Sequence, residues 1–264
     1  MKKLNISKTQ LTNYDYISNK AIKVKNHKNT VLYTNLVFSN RKKEQGVFIA
    51  QLSQPSEGFF VLLASLKETL RMNEFEYRLS VCKLGEEYKT SGLRYITHIE
   101  TNPYPRIHYA LGNIDLVKSF ILDQQLNILF IEYELEEAPV KTTFEISPLL
   151  AFREINKLSF ENENAKTEVK KATSGYAMRM YKEFPWLYFT STHDLTFSPN
   201  GHWIKGFEYP MELAECEYED LYIPGSLSFE LSAGEKMTLA IGLDKIEKEQ
   251  IRHEFINSIN RIYN

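Results

Sequence analysis

The sequence predicts a mainly β protein: a large antiparallel two-sheet β-sandwich followed by a C-terminal linker helix. Three observations carry that prediction. Aromatic residues are abundant, with 16 Tyr, 16 Phe and 2 Trp in 264 residues, and the apolar runs are short, β-branched or aromatic, and punctuated by Gly, Pro and Asn. Almost no helical rhythm separates those runs, which favours antiparallel pairing because parallel neighbours need long crossovers. A 3.6-residue rhythm enters only at the end of the chain.

Alternation and turn residues place strands at 30–38, 46–52, 58–64, 76–83, 94–100, 107–111, 114–122, 127–134, 140–147, 157–160, 176–181, 187–191, 195–198, 202–207, 225–231 and 235–242. Gly112-Asn113, set between Leu111 and Ile114, has the composition of a tight hairpin. The run from Asn127 is apolar through Phe130 before it alternates, as expected of a strand buried on both faces beneath a second sheet. Val140 to Ile146 alternates cleanly, and Pro148 should end that strand because proline cannot donate to a central ladder. Leu149, Leu150 and Phe152 would then fill the junction between layers, with Arg153 and Glu154 emerging at the rim, where Arg153 either forks onto a carboxylate or backbone carbonyl at a domain interface or stands as a surface charge. Residues 161–175 are polar and charged, the composition of a solvated loop or weak hairpin. Asp244 three residues before Glu247 resembles a capping box, and Ile251, Phe255, Ile259 and Ile262 follow at spacings of four, four and three. That stripe predicts an amphipathic helix of about five turns, either packed on a sheet or serving as a linker that leads to a further domain. The chain therefore divides into a sandwich, 1–243, and a helix, 244–264.

Composition narrows function mostly by exclusion. With 32 basic against 34 acidic side chains there is no net field to draw a polyanion, so nucleic acid is not an expected partner. No apolar stretch is long enough for a signal peptide or a membrane span, and the expectation is a cytoplasmic, soluble chain. Cys82 and Cys216 lack the spacing of a zinc site or disulfide framework and read as buried thiols. His27, His98, His108, His193, His202 and His253 are scattered, with no His-Glu-x-x-His helix and no visible ligand set, so neither metal nor cofactor is expected. Glycine-rich nucleotide loops and the Gly-x-Ser-x-Gly elbow are also missing from the sequence.

Two features invite a chemical reading. The acidic run Glu208, Glu212, Glu215, Glu217, Glu219 and Asp220 offers paired carboxylates for acid–base work or calcium. Its alternation with Cys216 and Tyr218 points instead to a half-exposed strand or extended loop with a solvated or interdomain acidic edge. Trp203, Tyr209, Tyr222 and the Tyr104–Tyr109 region supply rings on which a pyranose face could pack. In a sheet protein this aromatic, most such rings belong to the core.

Several segments together resemble the N-terminal domain of bacterial and archaeal-type glycogen debranching enzymes. They are N-R-K-K-E-Q-G-V-F-I-A from Asn40, N-P-Y-P-R-I-H-Y from Asn102 with Lys118 and N-I-L-F-I-E-Y-E-L after it, and I-S-P-L-L-A-F-R-E-I-N-K-L from Ile146. W-I-K-G-F-E-Y-P-M-E-L from Trp203 and E-D-L-Y-I-P-G from Glu219 complete the set, closed by G-E-K-M-T-L-A-I. The basic pair is Lys42-Lys43 where the family has two arginines, and lysine lacks arginine's planar fork.

The resemblance implies a supersandwich that precedes a helical barrel in which two carboxylates hydrolyse α-1,6-linked glucose at branch points. Those carboxylates lie in the barrel, so no acidic residue of this chain inherits a catalytic role, and the helix at 244–264 would lead into that absent domain. The expected partners are the helical catalytic domain and an α-glucan. Residues expected to contact substrate or the neighbouring domain are Asn40, Lys42, Lys43, Arg153, Trp203, Tyr209, Glu212, Glu219 and Asp220. The alternative is a stand-alone carbohydrate-binding or scaffold module without enzymatic activity.

Overall fold

A computed structural model describes residues 6, 8–11, 13–84, 87–89, 91–165, 167–210 and 216–263. In chain order the elements are α1 (Lys8–Leu11), α2 (Tyr14–Ser18), β1 (Ala21–Lys25), β2 (Thr30–Asn35), β3 (Gly46–Leu52), β4 (Gly58–Met72), β5 (Phe75–Arg78), β6 (Cys82–Leu84) and β7 (Glu87–Lys89). After a 3₁₀ turn at Ser91–Tyr95 come β8 (Ile96–Glu100), β9 (Arg106–Ala110), β10 (Asp115–Leu122), β11 (Ile128–Glu137) and β12 (Thr142–Glu154). The chain continues with β13 (Glu168–Ala172), β14 (Gly175–Arg179), β15 (Leu187–Ser191), β16 (Thr196–Pro210), β17 (Cys216–Leu231), β18 (Lys236–Gly242) and α3 (Lys248–Tyr263).

The fold is mainly β, with every pairing antiparallel. Among the described residues one sheet has ten strands in the order β1-β2-β3-β4-β12-β17-β16-β6-β7, with β5 paired to β4, and the other has eight in the order β13-β14-β15-β18-β11-β10-β9-β8. Period-two patterning explains why the sheets stack. In β11, Leu129, Ile131 and Tyr133 join the core between the sheets, while Ile128 and Phe130 point the other way. Opposite them, Phe144 and Ile146 of β12 and Leu227 and Phe229 of β17 complete the same core. Each such side chain removed from water contributes about 1.5–3 kcal/mol. The Gly112 turn between β9 and β10 forms as expected: Gly112 has φ +69°, and Leu111 N–H donates to the Ile114 carbonyl at 2.8 Å.

Helix α3, not a further sheet, covers the outer face of β11. Ile251 and Phe255 are buried against Ile121, Ile128 and Phe130, Ile259 is partly covered, and Ile262 is exposed. Polar ties fix the helix along its length. Arg252 pairs with Glu132, and Asp123, fully buried, accepts from Ser258 Oγ and Arg261 Nη1, each at 2.5 Å. The helix starts at Lys248 rather than at Asp244, whose carboxylate is committed to Lys28 Nζ at 2.8 Å and Asn127 N–H at 3.0 Å. Gln250 and Ser174 take the capping role instead, accepting from the backbone N–H groups of Glu247 and Lys248 at 3.3 Å.

The structure corrects the sequence reading at several strands. β1 was unforeseen, β4 runs on to Met72, residues 157–160 are not a strand, and β16 joins two expected strands into one. Residues 168–179 form a hairpin, β13–β14. The largest correction is at Pro148, which does not end its strand. Pro148 pairs with Leu66 on the β4 side, and on the β17 side it falls in the register break between Ile146 and Leu150. A bulge leaves the missing N–H without a ladder partner to disappoint, so the strand continues to Glu154. Among the described residues no helix is long and apolar enough to cross a membrane.

Candidate functional site

The continuation of β12 carries Arg153 onto the outer face of the larger sheet. There it is buried at 7% exposure instead of emerging at a rim. Its fork is filled. Nε donates to Glu219 Oε1, Nη2 to Glu219 Oε2 at 3.0 Å and the Lys43 carbonyl at 2.8 Å, and Nη1 to the Glu154 and Ile155 carbonyls at 3.2 and 3.4 Å. Five N–H donors thus meet five acceptors. Glu219, at 0% exposure, is saturated in turn by Arg153, by Ser159 N–H at 3.1 Å and by the Tyr209 hydroxyl at 2.5 Å.

Electrostatics follow from this closure. Burial opposes the charge on Arg153, but the hydrogen-bonded Glu219 carboxylate outweighs it and holds the guanidinium above its ordinary pKa. Burial, reinforced by the charge on Glu219, pushes the Tyr209 hydroxyl well above the usual phenol range. Neither group exchanges a proton near neutral pH. A carboxylate with every lone pair committed is a poor base and a poor nucleophile, so the cluster acts as a latch joining β12, β16, β17 and the β2–β3 connection.

The other expected contact residues scatter around this latch. Lys43 Nζ reaches Glu217 at 2.5 Å, so both its carbonyl and its ammonium face the cluster. Lys42 is exposed, with its backbone bonded to Gln45. Asn40 holds the β2–β3 connection through the Ala64 carbonyl at 2.7 Å and the Thr34 hydroxyl at 3.0 Å. Asp220 accepts from the N–H groups of Glu161 and Gly206 at 3.1 and 3.2 Å. Trp203 lies edge-on to Tyr222, centroids 5.3 Å apart, and packs against the inter-sheet core. Tyr209 and Tyr109 are buried and present no ring face to solvent. Glu212 and Glu215 lie outside the described residues.

Three expectations about side chains are corrected. The acidic run is not a solvated edge throughout, because Glu219 and Glu208 are buried. Cys216 is half-buried rather than buried, its thiol donating to Glu208 Oε1 at 3.0 Å, and the Cys82 side chain lies outside the described residues. The histidines are not all scattered: His98, Glu100 and His108 meet on the β8–β9 hairpin, with their ligand atoms within 4.8 Å of one another.

A second buried polar cluster, between the sheets, escaped the sequence reading. Lys118 Nζ lies 2.7 Å from the Glu68 carboxylate and 3.8 Å from the centre of the Phe38 ring, and the Tyr133 hydroxyl also donates to Glu68. Burial lowers the Lys118 pKa, which Glu68 counters only in part, and raises that of Tyr133 well above normal. The signal was present in β10, where Lys118 follows Leu116 and Val117 and precedes Ser119 and the apolar Phe120, Ile121 and Leu122, but its partner lay 50 residues away.

Beyond the latch, the outer face of the larger sheet is apolar. Ile49, Val61, Leu149, Ala151, Leu221 and Ile223 are buried there beneath the half-buried Tyr33, Phe59, Ile155, Ile204 and Phe207. Elsewhere on the surface, Asn162, Asn164, Met180, Tyr181, Lys182 and Glu183 line a depression of about 690 Å³.

A family model described as glycogen debranching enzyme N terminal matches residues 32–238. Among solved structures, the chain is similar to a bacterial glucoamylase complexed with acarbose, at 10% identity and a TM-score of 0.45, over 77% of this chain and 31% of that one. It is also similar to a polysaccharide lyase, at 11% identity and a TM-score of 0.34, over 90% of this chain and 34% of that one. The chain thus spans about a third of the length of either protein. No curated protein matches it by sequence.

Proposed function

The chain belongs to the glycogen debranching enzyme N-terminal family, and from that membership we propose that it is the non-catalytic β-sandwich of a debranching-type glycoside hydrolase. Its role is to support and orient a helical catalytic domain in which α-1,6-linked glucose is removed from glycogen or a related α-glucan. The family match across residues 32–238 carries this reading. Two physical features support it. The best-placed acidic residue, Glu219, is locked by Arg153, Ser159 and Tyr209 and has no lone pair left for a substrate. The outer face of the larger sheet keeps Tyr33, Phe59, Ile204 and Phe207 half-covered, the apolar character of a surface that receives another layer. Under this reading residues 244–264 serve as the linker, with α3 anchored on the smaller sheet.

The depression beside Tyr181 favours a second reading, a carbohydrate-binding module. Amide side chains with one ring beside them are the groups that orient a sugar. Titration of the purified chain with maltooligosaccharides separates the two. The supporting-domain reading expects no binding heat at millimolar ligand; saturable binding that Tyr181→Ala abolishes would replace it with the module.

A further inference from the structure

We propose that His98, Glu100 and His108 form a binding site for a borderline divalent cation, Zn²⁺ or its neighbours Ni²⁺ and Cu²⁺, on the edge hairpin of the smaller sheet. The sheet geometry brings the three together. A register irregularity between Ile96 and His98 resets the alternation of β8, so that Ile96 and Ile99 are buried while His98 and Glu100 share the outer face. His98 and His108 are direct cross-strand partners, their rings stacked with centroids 3.7 Å apart and planes at 15°. Glu100 Oε1 lies 3.7 Å from His98 Nε2 and 3.3 Å from His108 Nε2.

The chemistry selects the ion. Two imidazoles and one carboxylate make an N₂O donor set, which suits zinc, nickel and copper rather than calcium or magnesium. His108 Nε2 is buried without a hydrogen-bond partner, and Glu100 Oε1 stands 3.3 Å away. An orphaned buried nitrogen costs stability that a metal ion would return. Stacked rings project their lone pairs in parallel, so convergence on one ion needs a rotation about a Cβ–Cγ bond. His98 has room for it, with 55% of its side chain exposed. Arg106, 3.5 Å from Glu100 and 3.8 Å from Glu134, competes for the carboxylate and sets the cation a threshold to overcome. Three protein ligands leave a fourth position for water, and the ion would staple β8, the outermost strand of its sheet, to β9.

The test is calorimetric titration of the untagged full chain, stripped with chelator, with zinc chloride. One equivalent should bind and raise the thermal midpoint. His98→Ala and His108→Ala should each weaken binding by at least the roughly 10–100-fold that loss of an outer-shell partner costs. Glu100→Gln should also weaken it, whereas His202→Ala, away from the cluster, should leave it unchanged. Circular dichroism of metal-free His98→Ala checks that the fold survives. Absence of stoichiometric binding, or equal affinity in His98→Ala and the parent chain, overturns the proposal.

Discussion

Arg153 and Glu219 face each other from neighbouring strands of the larger sheet, with Nη2 3.0 Å from Oε2, and every polar atom of both side chains is engaged. Removing one partner strands the other's charge in a dry site. Arg153→Ala should cost about 3–5 kcal/mol. Arg153→Lys should recover only part of that, since an ammonium cannot reach the carboxylate and the Lys43 carbonyl as a planar fork does. Urea unfolding of the two variants checks both the loss and its order.

The inter-sheet pair Glu68–Lys118 makes a different prediction. Lys118→Met removes the cation that faces Glu68 at 4% exposure, and should destabilise by about 3–5 kcal/mol. The double variant Glu68→Gln/Lys118→Met removes both charges and keeps an acceptor for Tyr133. It should therefore be more stable than Lys118→Met alone, a non-additivity that a double-mutant cycle reads directly.

Asp244 links stability to pH. Burial would raise its pKa, but the hydrogen bonds from Lys28 and from Asn127 N–H outweigh that and hold it below the ordinary carboxylate value. A depressed folded pKa stabilises above the unfolded value and is lost as pH falls through the folded one. The stability gap between the parent chain and Asp244→Asn should be level near neutral pH and shrink below about pH 4. Denaturant midpoints across that range give the curve.

The layered β architecture was legible because β10, β11, β12 and β18 carry long runs of apolar residues at a sheet period. Helix α3 was legible from its stripe, since Ile251 and Phe255 fall on one face; its true start was hidden because Asp244 found a tertiary partner in Lys28. Pro148 misled because a local rule about ladders gave way to a bulge. Glu68, Lys118, Arg153 and Glu219 are types that local reasoning assigns to the surface, and their partners lie 50 and 66 residues away. His98 and His108 stayed apart on paper because an alternating strand sets His98 beside Ile96, and only the register shift turns it outward.

The central claim is that this chain supports a carbohydrase without performing its chemistry. Incubation of the purified 264-residue chain with a branched limit dextrin, with released glucose followed over time, tests it most directly. The account predicts no glucose above the blank at any pH where the fold persists. Sustained glucose release that tracks the purified chain, and disappears on substitution of one of its own carboxylates, would contradict it.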